Sequence, residues 1–351
     1  LVFAALIIPR ASDYNTNAAI YFITVGFAAP FIFYDIFTSK YRYYDLLFFA
    51  FLGFFVANAL SLINTTILNI LPATMGVFIS FAYFLIYWYL DANTDSDDKE
   101  VILKNAFSLG LAIAIEFLLF IVTYEGQIIG KNIDLNWAQS NGIAMLVLLI
   151  IPLNIALYVI KQKKSYFLIG VACEICILFL TLSKGAYLAF IVIMIPLLIA
   201  SWSFIESKKK LIFDFMLVAL LIVLIIWKLS NLDKVAIGIE NYLASMDARG
   251  WFNDPARIEI YQKGLDVFKK HPLLGAGSYT TVEGLSSNYD HYHNFIIHTL
   301  ATTGLVGLTA FIFYLFAMIK KTFTKEPYHI FSLITIVAML IHGLFDNSWY
   351  K

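Results

Sequence analysis

Long apolar runs, most of them near the length a helix needs to cross a bilayer core of about 30 Å, follow one another along the chain with short polar connections between them. Ten full spans are expected after a short stub: roughly Ala18–Phe37, Leu46–Ile63, Leu68–Leu90, Val101–Val122, Asn141–Ile160, Tyr166–Leu182, Ala186–Phe204, Leu211–Leu229, Asn294–Ile319 and Ile330–Phe345. Length and unbroken apolarity make them helices, because neither the period-two alternation nor the recurring hairpin turns of a membrane barrel is present. Pro30, Pro72, Pro152 and Pro196 fall inside spans and are expected to kink them. The apolar stub Leu1–Pro9 is too short to cross, and with Leu1 in the place of an initiator methionine the chain is expected to be trimmed at its start. No internal repeat points to an inverted-repeat transporter.

Composition sharpens this into a class. The 351 residues are 61% hydrophobic and 14% charged, with mean hydropathy +0.80, whereas a soluble domain carries about 25% charged residues. The expectation is an all-α polytopic membrane protein. A formal net charge of zero offers no bulk attraction to nucleic acid. Cys173 and Cys176 both lie inside an apolar span, where packing is favoured over a redox or zinc role.

Basic residues orient the spans. Connections of one parity carry Lys40, Arg42, Lys99, Lys104, Lys161, Lys163, Lys164, Lys208, Lys209, Lys210, Lys320, Lys321 and Lys325; the alternate short connections carry only Arg10, Lys131 and Lys184. The basic parity is placed in the cytoplasm. The acidic run Asp91–Glu100 falls on that side as a solvated loop. Lys184 and the long connection from about Ser230 to His293 then face outward. The molecule reads as one integral membrane domain in three parts: N-terminal transmembrane helices over residues 1–229, an extracytoplasmic loop over 230–293, and C-terminal transmembrane helices over 294–351.

The outward loop holds the only long polar stretch, Asn253 to Asn294. Asn253 or Asp254 can cap a helix and Pro255 suits its first position. Ile258, Tyr261, Leu265 and Phe268 recur at helical spacing as one apolar stripe. His271-Pro272 stops the helix, and Gly275 and Gly277 release the backbone into a turn. Arg257 lies in the first turn, and His291-Tyr292-His293-Asn294 closes the loop where the next span begins. Lys184 sits in a tight outer turn, Thr181-Leu182-Ser183-Lys184-Gly185-Ala186, where a lysine between apolar helices must snorkel or meet an anion. An arginine fork and a lysine at one membrane surface suit a lipid-linked pyrophosphate. His293 can take a proton near neutral pH. His291 and His293 raise the question of a metal, but Glu283 and Asp290 are the only carboxylates nearby in sequence, so no metal site is expected. Within the spans, Glu116, Glu174, His298, His342 and Asp346 are ionisable; His342 and Asp346 share a helix face and can satisfy each other. Glu116 and Glu174 are read as packing groups, with proton relay in a transporter as the alternative.

The SKGA turn, the Arg257 helix, the P-L-L-G-A-G stretch at Pro272–Gly277, and His293-Asn294 followed by the G-L-V-G-L of Gly304–Leu308 resemble the O-antigen ligase and polymerase superfamily over about Leu180–Phe316. The resemblance implies a GT-C-like membrane glycosyltransferase in the bacterial cytoplasmic (inner) membrane. Its donor would be an undecaprenyl-pyrophosphate-linked glycan, used on the outer face without cofactor or metal. The acceptor would be a glycan or lipid-linked glycan, and other polysaccharide-assembly membrane proteins would be partners. By position, His293 matches the catalytic histidine, Arg257 the loop arginine, and Lys184 stands where an arginine is usual; Arg249 is a weaker additional cation. Polysaccharide polymerisation is favoured over ligation to lipid A core or to protein, and a flippase or proton-coupled transporter is the reading from another class.

Overall fold

The computed structural model describes residues 44–93, 96–123, 133–135, 138–161, 166–231, 236–241, 255–277 and 291–346, together with a few positions between 30 and 38 and residue 244. The expected first span, Ala18–Phe37, lies almost wholly outside them. Each later span lands on a helix: α1 (Leu46–Ser61), α2 (Ile70–Asn93), α3 (Ser96–Thr123), α4 (Ser140–Lys161), α5 (Tyr166–Leu180), α6 (Lys184–Phe204), α7 (Lys208–Ser230), α9 (Phe295–Thr322) and α10 (Pro327–Gly343), with α8 (Pro255–Lys270) in the loop. Two two-residue strands, Asp134–Leu135 and Ala138–Gln139, pair antiparallel just before α4.

Six described helices, α1, α3, α4, α6, α7 and α9, contain segments long and apolar enough to cross a membrane, while the apolar segments Ala73–Tyr89, Phe167–Leu180 and Pro327–Gly343 are shorter. The protein is a multi-pass, helical membrane protein. The acidic run is not the loop expected: α2 continues to Asn93 and α3 starts at Ser96. Glu100, one turn into α3, pairs with Lys104 at 2.7 Å and with Lys161 of α4, and these pairs give the added turn a reason to stay helical.

Two groups of helices share the bundle. One is built on α4, which packs against α3, α5, α6 and α10; α7 adds to it through α5. Its core runs from Ile113 and Val147 through Leu178 and Ile193 to Phe331. In the other, α1 packs on both α2 and α9, and α8 lies on α9. Asp45 ties this second group together at one end: its Oδ1 accepts from the Phe48 amide at 2.7 Å, capping α1, and its Oδ2 accepts from Tyr87 Oη at 2.8 Å and Lys321 Nζ at 2.9 Å.

Two polar pairs cross between helices inside the first group. Asn154 Nδ2 donates to Glu174 Oε1 at 2.5 Å, and Gly110 leaves the room that carboxyl occupies, since a Cβ there would come within 2.0 Å of Oε1. Tyr158 Oη donates to Asp214 Oδ2 at 2.7 Å. Cys173 and Cys176 are free thiols within α5.

The clearest departure from regular geometry is in α9. Pro152 and Pro196 lie inside α4 and α6, but the recorded break in helical backbone is at Gly304, with φ 65° and ψ −159°. A break deep in an apolar helix frees backbone groups that lipid cannot satisfy. Here the segment Pro272–Gly277 takes them. The amides of Leu305 and Val306 donate to Pro272 O (2.9 Å) and Leu273 O (3.1 Å), and the carbonyls of Ala301 and Thr302 accept from the amides of Ala276 and Gly277, both at 2.9 Å. The four groups that an intact helix would have paired with one another are thus exchanged with one loop segment. Asn64 Nδ2 donates to Gly275 O at 3.0 Å, so the connection after α1 holds the same segment from its other side.

Candidate active site

The site is assembled where the two helix groups meet, by a turn that sequence reading did not single out. Beyond the last residue of α10 come Leu344, Phe345 and Asp346, and each accepts hydrogen bonds from the loop that ends at α9. Asn294 Nδ2 donates to Leu344 O at 3.0 Å, and Arg257 Nη1 donates to Phe345 O at 2.7 Å. His291 Nε2 and His293 Nδ1 both lie 3.0 Å from Asp346 Oδ1. The tight turn before α6 arrives at the same place, since a Cβ on Gly185 would sit 2.8 Å from Phe345 Cβ. So Arg257, His293 and the backbone carrying Lys184 converge on three consecutive residues. Arg249, the fourth expected residue, lies outside the described residues.

Local sequence explains how each side chain reaches that turn. Pro255 starts α8 and puts Arg257 in its first turn. The helix then docks on α9 through Ile260, Gly264 and Val267 against Tyr292, Ile297 and Ala301. This corrects the expected stripe: Ile258 is 46% and Leu265 39% exposed, whereas Ile260 is 1% exposed. Gly264 decides the face, because a Cβ there would lie 2.6 Å from Ile297 Cγ2 and 2.8 Å from Tyr292 Cδ1. Asn294 caps α9, its Oδ1 accepting from the amides of Ile296 (2.9 Å) and Ile297 (3.1 Å). Among the described residues, the non-glycine residues with positive φ are Leu182 (52°) and His293 (47°). One lies two residues before Lys184 and the other is the histidine itself. Strain of this kind costs about 1–3 kcal/mol and persists where its surroundings fix it.

Asp346 is the electrostatic centre. It is 4% exposed. Burial alone would push its pKa up, but the hydrogen bonds from His291 and His293 hold its carboxyl well below the usual range. It is therefore an anion at neutral pH, and an ionised carboxylate can only accept. The expectation that His342 and Asp346 satisfy each other is corrected here: the carboxylate is engaged by two loop histidines. His291 is itself buried, while His293 is partly exposed, and the two rings lie 4.3 Å apart with planes at 57°.

His291, His293 and Asp346 also form a group that could hold a metal ion, their ligand atoms all lying within 4.8 Å of one another. Sequence spacing missed this because the carboxylate comes from 53 residues beyond His293. Both nitrogens stand at ordinary N–H···O distance from one oxygen, and the Arg257 guanidinium is bonded to the adjacent Phe345 carbonyl.

A family model described as O-antigen ligase matches residues 166–312. That stretch takes in the Lys184 turn, α8, both histidines and the break in α9, but not the Leu344–Asp346 turn. The O-antigen ligase of Escherichia coli (strain K12) is 24% identical over 292 residues, an alignment covering 78% of this chain and 67% of the relative. Both comparisons support the O-antigen ligase/polymerase superfamily for this multi-pass membrane protein.

Proposed function

We propose that the protein is a membrane glycosyltransferase that uses a polyprenyl-pyrophosphate-linked glycan as donor on the outer face of the bacterial cytoplasmic membrane. The observation that carries this reading is the convergence of Arg257, His293 and the Lys184 turn on residues 344–346. An imidazole able to accept a proton stands there beside a planar guanidinium suited to phosphate. Lys184 occupies the first position of α6, the positive end of that helix's dipole. A lysine there adds to positive charge instead of offsetting it, a setting that favours an anionic ligand.

The reaction is a direct displacement without a metal. The acceptor hydroxyl oxygen forms a bond to the anomeric carbon of the donor, and its proton passes to the His293 ring. The bond between that carbon and the pyrophosphate oxygen breaks, its electron pair leaving with the pyrophosphate. Arg257 and Lys184 meet the charge that develops on the leaving group, and the anomeric centre inverts. Residues 230–293 serve as the extracytoplasmic catalytic loop between transmembrane helices on either side, ten spans in all, with Arg249 as a further cation for the donor.

The acceptor separates two outcomes. The relative's name is that of a ligase, which favours transfer of a finished glycan onto a distinct acceptor at least as well as it favours polymerisation. Purified protein incubated with lipid-linked repeat unit alone should yield a ladder of longer products if it polymerises. It should yield none until a separate acceptor is supplied if it ligates. No transfer with any acceptor would overturn the glycosyltransferase reading.

A further inference from the structure

His293 and His291 meet Asp346 through different nitrogens, and the difference assigns roles. His293 is bonded through Nδ1, the nitrogen next to its backbone. Since an ionised carboxylate can only accept, Nδ1 carries the hydrogen, and in the neutral ring Nε2 then bears the lone pair. Nε2 is the outermost nitrogen of the side chain, the one that best reaches a bound molecule. His291 is bonded through Nε2 instead, so its remaining nitrogen is turned back toward its own main chain, and the residue is buried. One imidazole is thus set to work outward and the other to brace the carboxylate.

We propose that Asp346 is the positioning residue of the transfer reaction, fixing His293 as the Nδ1–H tautomer with Nε2 directed at the acceptor hydroxyl, and that His291 acts as the second donor keeping that carboxylate in place. The proposal rests on the reading of His293 as the base. The charged and titratable groups around Asp346 come from every element that meets it. Among the described residues they are His291 and His293 from the end of the loop, Arg257 of α8 through Phe345 O, His342 one turn back in α10, and Lys184 beside Gly185, which packs on Phe345. Asp346 is the anion among them. As His293 takes the hydroxyl proton and becomes an imidazolium, Asp346 is the group that stabilises the new charge. Its backbone is set by the end of α10, where its amide donates to His342 O at 3.0 Å. His293 holds its positive φ with its Nδ1 bonded to Asp346, beyond the end of α10.

The test is turnover of lipid-linked donor by purified protein, with kcat and KM resolved. Asp346→Asn keeps size and an acceptor oxygen but removes the charge. It should lower kcat on the order of 10²-fold or more while leaving KM for the donor unchanged. Asp346→Glu should recover part of the loss. In an His293→Ala background, Asp346→Asn should slow the reaction no further, because it acts through that ring. A wild-type kcat in Asp346→Asn, or an additive loss in the double variant, overturns the proposal. Should Asp346→Asn not fold, the ¹⁵N spectrum of histidine-labelled wild type decides: the signal absent from His293→Ala must report a protonated Nδ1, and a bare Nδ1 overturns the proposal. If His293→Ala itself turns over normally, the base reading falls and the proposal with it. If His293→Ala is inactive but Asp346→Asn is not, only the positioning role falls.

Discussion

Replacing Gly304 with alanine tests the exchange of backbone bonds between α9 and the loop. The residue sits at φ 65° and ψ −159°, a region that only glycine occupies freely. A Cβ there would lie 2.4 Å from both Leu273 C and Leu273 O and 2.7 Å from Gly275 N. These are backbone atoms with no rotamer to give, so the segment Pro272–Gly277 must move off the helix. That sacrifices four hydrogen bonds worth about 1 kcal/mol each. With the residual backbone strain, the penalty is roughly 4–6 kcal/mol. Thermal unfolding in detergent should show a fall on the order of 10 °C, and a protease should begin to cut between residues 272 and 277. Gly53→Ala is the control: nothing lies within 4 Å of its added Cβ, and it sits inside α1. It should match wild type or gain up to about 1 kcal/mol. If Gly304→Ala melts with Gly53→Ala and resists the protease, the bond exchange does not hold the loop as argued.

Four further outcomes are expected. Cysteines introduced at Ser278 or Ser287, both outside the described residues, should label with an impermeant reagent from outside the cell, and one at Ser207 should not; the reverse pattern would invert the topology. Arg257→Ala should abolish transfer, and Arg257→Lys should not restore it, because a point charge cannot both hold Phe345 O and present a fork to phosphate. Lys184→Arg should stay active, and a wild-type rate in Lys184→Ala would return that lysine to a snorkelling role. His293→Ala should lose about 10²–10⁴-fold in rate with donor affinity kept, His291→Ala should lose much less, and EDTA should leave the wild type active; an enzyme silenced by EDTA would assign His291, His293 and Asp346 to a metal.

Hydropathy made the helices legible from Leu46 onward, and local chemistry made α8 legible from Pro255 to Lys270. Both are short-range properties. Pairing the site residues was not legible, because two of the three acceptors at residues 344–346 are main-chain carbonyls, which no sequence motif advertises. Asp346 was visible as an ionisable residue, but His342 four positions earlier offered a local partner that concealed the distant ones. Ile258 and Leu265 met the spacing rule for a buried stripe; the close approach allowed by Gly264 selected the neighbouring face instead. Gly304 stands out in sequence only as the first residue of the G-L-V-G-L motif, and its backbone angles and close approach to Leu273 are what reveal a break. Asp214, buried against Tyr158, could have been noticed as a lone carboxylate in an apolar run.

The position of the clamping turn in the chain has a consequence for biosynthesis. Arg257, His293 and Asn294 leave the ribosome well before Leu344, Phe345 and Asp346, the residues that collect them. At about 5–20 residues per second, several seconds separate the emergence of the loop from that of its anchor. During that interval the loop has its sequence but lacks the partners at residues 344–346, so under the proposed function a nascent chain cannot carry out transfer while α10 is still being made. The proposed activity then begins only once α10 is inserted, and any lesion that delays its insertion leaves the site unassembled with Arg257, His293 and Lys184 all present.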